Sequence, residues 1–393
     1  MNLPGNFCVA PFLQHTTHPS GSYSPCPYLG GTSWKGRKES ILEQWSSAEL
    51  EQLREDFRNN KKSSVCNRCW HEEQNGIKSL RKRLYDVETG TSDYVFATPE
   101  AIEQRLADYS AGPLVLTIKN GNLCNAKCRV CHPGDSSRWI EDSVKLHQLT
   151  GKQYYQLDQL ERNWSDQQLE EILQLSQNLV RLELFGGEPT FNKQVARLLE
   201  RLVEQGLSKN IVVYINTNGG IFVPDRFPLL GQFKGVELGI SIDGVGQQFN
   251  YIRHGIDYNN MVNNVKHMQE YFDQNNISYF IDAISTVNIL NVLYLPEIKS
   301  AVTEFLPLEP FWNLLVNPEH LFVKNMPDSI KQAVISKLQH DPSFEQIINV
   351  INQPADLTRW DEFIEITSAL DQIRGEDFAK TFPELDALIK QLS

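Results

Sequence analysis

From residue 113 onward the chain alternates short apolar runs with amphipathic stretches. Segments 113–118, 179–185, 210–216, 236–242, 277–285 and 311–316 have the length and the Val, Ile, Leu and Phe content of buried strands. Between them, 166–175, 192–204, 260–271 and 296–304 place apolar residues at helical spacing. Strands alternating with helices of this length predict βαβ units on a parallel sheet. Six repeats fall short of the eight that close a barrel. The expected fold class is therefore α/β, a partial (β/α)6 barrel of the TIM type.

The pattern before residue 112 is different. Residues 1–84 carry cysteines and many turn formers, with 18–25 predicted as a turn between short strands and 48–57 as a helix. Residues 85–111 are a linker with a short helix, 112–326 the core, and 327–393 a polar helical tail with no identifiable chemistry. His15 and His18 are expected in turns or on the surface.

Composition narrows the function. With 40% apolar and 22% charged residues, the chain has the make-up of a soluble globular protein. No apolar run approaches the roughly 18 residues of a membrane span, and no basic-then-apolar leader is visible, so a cytoplasmic location without membrane association is expected. A net charge of −12 repels a phosphate backbone, so a nucleic-acid partner is disfavoured. The local basic set Arg58, Lys61, Lys62, Arg68, Lys78, Arg81, Lys82 and Arg83 is either a solvated face or a docking face for an acidic partner. The seven cysteines fall into two groups, four before residue 70 and three between 124 and 131. An odd number without a leader does not suit a disulfide framework; clustered thiols in a reducing compartment suit metal.

The first core strand is followed by the loop 119–131, which carries Cys124, Cys128 and Cys131. Barrel chemistry belongs at the carboxyl ends of strands. Three thiolates spaced by three and two residues can ligate three irons of a four-iron cluster. Zinc would need a fourth ligand, and His132 is adjacent to Cys131 and poorly placed to supply it. An iron without a protein ligand can bind a small molecule.

This Cys-x3-Cys-x2-Cys loop resembles the signature of radical S-adenosylmethionine enzymes. The resemblance implies a [4Fe–4S] cluster on Cys124, Cys128 and Cys131, the catalytic centre. Its open iron would chelate the methionine end of S-adenosylmethionine, and one electron would release a 5′-deoxyadenosyl radical. Val130 stands where relatives often have an aromatic residue near the adenine. Later strand ends extend the likeness. Gly186-Gly187-Glu188-Pro189 is similar to the family's Gly-Gly-Glu-Pro segment, which binds the methionine amino group. Asn218 lies in a Thr-Asn-Gly segment, and Ser241 and Arg253 match positions that contact the ribose and carboxylate in relatives. Taken alone, each segment also reads as a turn, cap or surface charge, but their succession at strand ends favours the cofactor contacts, and Asp243 is expected to be structural. The likeness covers about residues 112–325.

Cys8, Cys26, Cys66 and Cys69 could hold a second iron–sulfur cluster, [4Fe–4S] or [2Fe–2S], or a structural zinc. The order of Cys-x-x-Pro-aromatic, Pro-Cys and Cys-x2-Cys-Trp resembles the twitch module, a shortened SPASM domain, here placed before the barrel. That resemblance implies an auxiliary iron–sulfur cluster and a peptide or protein side chain as substrate, while the resemblance to radical S-adenosylmethionine enzymes implies an external one-electron reductant of flavodoxin or ferredoxin type. Asp135, Ser136 and Arg138, and Asn317, Glu319 and His320, are candidate substrate-facing positions or simply loop residues. Two alternatives remain at this point: a zinc-binding scaffold without catalysis, and an RNA-modifying radical enzyme.

Overall fold

The computed structural model describes residues 3–18, 22–29, 40–74, 78–94, 96–119, 121–155 and 164–392. Asn120 in the cysteine loop and the turn tip at 19–21 lie outside the described residues. The strands are β1 (Gln14–Thr17), β2 (Tyr23–Ser24), β3 (Val115–Lys119), β4 (Arg181–Phe185), β5 (Val212–Thr217), β6 (Gly235–Ser241), β7 (Tyr279–Val287) and β8 (Phe311–Leu314). They form one sheet in the order β2-β1-β3-β4-β5-β6-β7-β8. Strands β3 to β8 are the six expected from the apolar runs, each within two residues of its expected start. The α/β class with six strand–helix repeats is borne out, and the carboxyl-terminal segment is helical.

The chain divides into two compact units, one of residues 1–121, 162–215 and 227–237, the other of 122–161, 216–226 and 238–393. This division does not follow the segments 1–84, 85–111, 112–326 and 327–393. In the first unit β1 and β2 pair antiparallel, as the turn signal at 18–25 implied. Yet β1 also pairs in parallel with β3, Gln14 opposite Val115 and Thr17 opposite Ile118. The amino-terminal segment thus supplies a strand beside the first core strand. His15 departs from expectation for the same reason. It is fully buried on β1, stacked on Tyr23 at 5.3 Å and edge-on to Trp45 at 5.9 Å. Burial pushes its pKa down to about 3, so it is a neutral core imidazole. His18 is partly buried and shares a 2.9 Å hydrogen bond with Ser24.

Local signals set the helix ends. Ser165 and Gln168 form a reciprocal capping box at the start of Asp166–Leu175. Helix Lys193–Glu204 buries Val195, Leu198, Leu199 and Leu202, an apolar stripe at three- and four-residue spacing. In the second unit Tyr258–Gln274 buries Met261, Val265, Met268 and Phe272 in the same way. The long helix Leu357–Arg374 ends at Gly375, whose φ of 66° is the left-handed turn that glycine takes without strain. Among the described residues no helix is long and apolar enough to cross a membrane.

Candidate functional site

Hydrogen bonds to its backbone and side chains hold the cysteine loop in shape. Asn122 Nδ2 donates to Pro133 O at 2.7 Å, and Asn122 O accepts from Ser137 N at 2.7 Å. Lys127 N donates to His254 O at 2.9 Å, and Arg129 N to Ile252 O at 2.7 Å, so the loop is paired with the segment that carries Arg253. That close approach requires Gly255. Its φ is 102°, and a Cβ there would lie 3.2 Å from Asn125 O. Trp139, fully buried, donates from Nε1 to Cys128 O at 2.7 Å.

Cys128 is buried, and Cys124 and Cys131 are partly so. A hydrogen bond from the Cys131 thiol lowers the pKa of Cys128 against the opposing effect of burial, and Arg253 adds to the lowering. The same shared proton raises Cys131. Arg253 Nη1 lies 3.9 Å from Cys128 Sγ. Its Nε lies 2.7 Å from Asp243 Oδ2. Both residues are buried, and Asp243 Oδ1 accepts from Thr286 N at 2.6 Å. Burial opposes the Arg253 cation, but Asp243 and then Cys128 outweigh it. Burial also pushes the Asp243 carboxyl up, yet with a guanidinium at 2.7 Å the pair is ionised. Asp243 therefore anchors Arg253 beside the cysteine sulfur.

These residues fit a thiolate-ligated cluster: three sulfurs on one loop, two of them sharing a proton, and a fixed cation next to one. His132 does not complete a fourth ligand. Its Nδ1 accepts from Gly134 N at 3.0 Å, and its Nε2 lies 3.3 Å from Asp135. Among the described residues no three His, Cys, Asp or Glu side chains group to hold a single metal ion.

Of the other expected cofactor contacts, Ser241 is buried at the end of β6. Asn218 donates to Asn125 Oδ1 at 2.7 Å and accepts from Gly220 N at 2.9 Å, which braces the cysteine loop. Gly186 and Gly187 belong to the first unit and take φ of 93° and 54°, as their glycine identity permits. Glu188 beside them is buried and accepts from Thr190 Oγ1 at 2.8 Å.

Sequence reasoning missed the carboxyl-terminal contribution. Arg129, between the second and third cysteines and 3% exposed, donates to Asp371 and, at 2.6 Å, to Glu376. Asp371 also accepts from Tyr251 Oη at 2.7 Å, and Glu376 lies 2.6 Å from His254 Nδ1. The left-handed turn at Gly375 delivers Glu376 to this place. Arg374 donates to Asp142 at 2.8 Å, and Asp142 also accepts from Lys127 at 2.7 Å. No local pattern in 371–376 announces these partners, because each is set by long-range packing.

Ser136 Oγ donates to Ala126 O and Arg138 Nη1 to Asn125 O at 2.9 Å, so both brace the loop. Asn317, Glu319 and His320 line a cavity of about 430 Å³ together with His132, Tyr155 and Arg359.

Cys8, Cys26, Cys66 and Cys69 line one cavity in the first unit with Tyr28, Arg68 and Arg81. Burial, then the charges of Cys66, Cys69 and Cys26, push Cys8 well up; burial pushes Cys26 up to about 12 and raises Cys66 and Cys69. The shared cavity brings the four thiols together. In the basic set, Arg58, Lys61, Arg68, Lys78, Arg81 and Lys82 each face a carboxylate of Glu55, Asp56, Glu72, Asp93, Glu73 or Glu88.

Residues 119–292 match the family model of the Radical SAM superfamily. Among solved structures it is similar to native anSMEcpe with bound AdoMet, at 20% identity over 52% of this chain and 53% of that one, TM-score 0.37. It is also similar to Streptococcus suis SuiB bound to S-adenosylmethionine, at 14% identity over 84% of this chain and 67% of that one, TM-score 0.37. The chain spans about half the length of the first of these. No curated protein matches it.

Proposed function

We propose that this chain, with a radical S-adenosylmethionine domain at residues 119–292, is a radical enzyme whose cluster is held by Cys124, Cys128 and Cys131. One observation carries the reading. The three thiols share a loop braced on all sides, with Asp243 fixing Arg253 at Cys128 and His132 engaged elsewhere. When bound, the cluster and the sulfonium cofactor supply one-electron bond cleavage, the family's route to hydrogen-atom abstraction. The residues' part is placement. Arg253 offers a planar guanidinium to a carboxylate as well as to the cysteine sulfur. Glu188 offers a carboxylate to an ammonium group, and Gly186 and Gly187 let the backbone come close to a ligand. Ser241 is a further candidate contact.

The four amino-terminal thiols are assigned to an auxiliary iron–sulfur cluster. They line one cavity, and four thiolates can fully ligate an iron–sulfur cluster. A reductant of flavodoxin or ferredoxin type and a peptide side chain as substrate complete the reading. The test is anaerobic reconstitution, reduction and assay for 5′-deoxyadenosine. Cys128→Ala should abolish the product, while Cys69→Ala should retain some cofactor cleavage. Wild-type material that loads zinc at 124–131 and makes no product would overturn it.

A further inference from the structure

The 430 Å³ cavity begins one residue beyond Cys131. Its wall is continuous with the setting of that cysteine, since Cys131 and Tyr155 pack against the same apolar cluster of Trp139, Leu146, Ile366 and Leu370. Its polar lining is unusual in charge. Arg359 Nη1 donates to both oxygens of Glu362, at 3.0 and 2.9 Å, while its Nε lies 2.8 Å from Glu319. One guanidinium thus serves two carboxylates, which leaves a surplus negative charge on that wall. His320 does not offset it, because burial holds its pKa at about 3 and the ring is neutral. Tyr155 Oη is buried and has no hydrogen-bond partner among the described residues. A buried hydroxyl left alone is costly, and its oxygen can accept a hydrogen bond from a cationic donor on a ligand.

We propose that this cavity is a recognition subsite for a cationic side chain, an ammonium or guanidinium on a flexible stem, held by Glu319 and Glu362 beside Tyr155. It rests on the radical-enzyme reading for its link to catalysis and supplies the substrate class that reading lacks. The stem lies along Tyr155, the charge meets the two carboxylates, and the field of a chain with net charge −12 favours the approach of a cation.

The test is calorimetric titration of the anaerobically reconstituted full chain with two probes, N-acetyl-L-arginine amide and its neutral isostere N-acetyl-L-citrulline amide. The arginine probe should bind and the citrulline probe should bind about tenfold more weakly or not at all. Glu319→Gln should weaken the arginine probe by about tenfold. Arg359→Gln, which removes the native counter-cation, should tighten it. Both side chains are exposed by about a third or more, so neither variant threatens the fold. Equal binding of the two probes, binding of neither, or the reverse response of the two variants overturns the proposal. Because the titration does not read cofactor cleavage, a protein that makes 5′-deoxyadenosine but ignores the probes sinks the subsite alone.

Discussion

Replacing Arg129 with methionine keeps the side-chain volume and removes the cation that ties the cysteine loop to the carboxyl-terminal helix. Lost are the charge-assisted bonds to Asp371 and Glu376 and the stacking over Tyr251 at 3.7 Å. Breaking a buried ion pair from one side costs about 3–5 kcal/mol, mostly because the partner charge is stranded. Here the strandedness is partial. Asp371 keeps Tyr251 Oη and Phe378 N, both at 2.7 Å, and Glu376 keeps His254 at 2.6 Å. The Arg129 Nε is itself buried without a partner, so the native arrangement is already imperfect. The low end, about 3 kcal/mol, is therefore expected. If stranded charge is the cause, adding Asp371→Asn and Glu376→Gln should recover stability, leaving a net loss of about 1–2 kcal/mol for the triple variant. Urea unfolding followed by tryptophan fluorescence reads both, since Trp139 and Trp360 flank the region. A triple variant as unstable as Arg129→Met, or less stable, would refute the argument and recast the network as additive hydrogen bonds.

The remaining expectations concern the same region. Gly255→Ala places a Cβ at φ 102° within 3.2 Å of Asn125 O, so it should cost about 1–3 kcal/mol and lower the iron bound per chain on reconstitution. Unchanged iron content and stability would show that the loop does not depend on this approach. Burial raises the Glu376 carboxyl, but the His254 hydrogen bond and the Arg129 charge outweigh it and hold its pKa below the ordinary 4.5. Its contribution is therefore fully present above about pH 4.5 and lost as pH falls through the depressed folded value. Glu376→Gln should lower stability at neutral pH and flatten the acid limb below 4.5; parallel acid limbs would show that this carboxylate is not coupled to folding.

Much of the fold was legible because local signals coincide with tertiary ones. β3, β4 and β6 are buried along most of their length and β5 and β7 at alternate residues, so their apolar runs read as strands, and the helices between them carry their own stripes and caps. That Cys124, Cys128 and Cys131 share one loop was legible for the same reason: thiols only a few residues apart stay together in any fold. His15 was misjudged because its environment comes from the β1–β2 pairing that sets Tyr23 beside it and from Trp45, on a separate helix. The pairing of β1 with β3 joins residues about a hundred positions apart, which no periodicity encodes.

The sequence by itself determined which thiols share a loop, which segments become strand or helix, and where the glycines permit tight backbone. Tertiary structure decided what surrounds the loop. Asp243 turns Arg253 toward Cys128, and Asp371 and Glu376, more than two hundred residues beyond Arg129, neutralise its charge. The physical reason is that a buried charge must find its partner wherever packing brings one, and packing is a property of the whole chain rather than of any window within it.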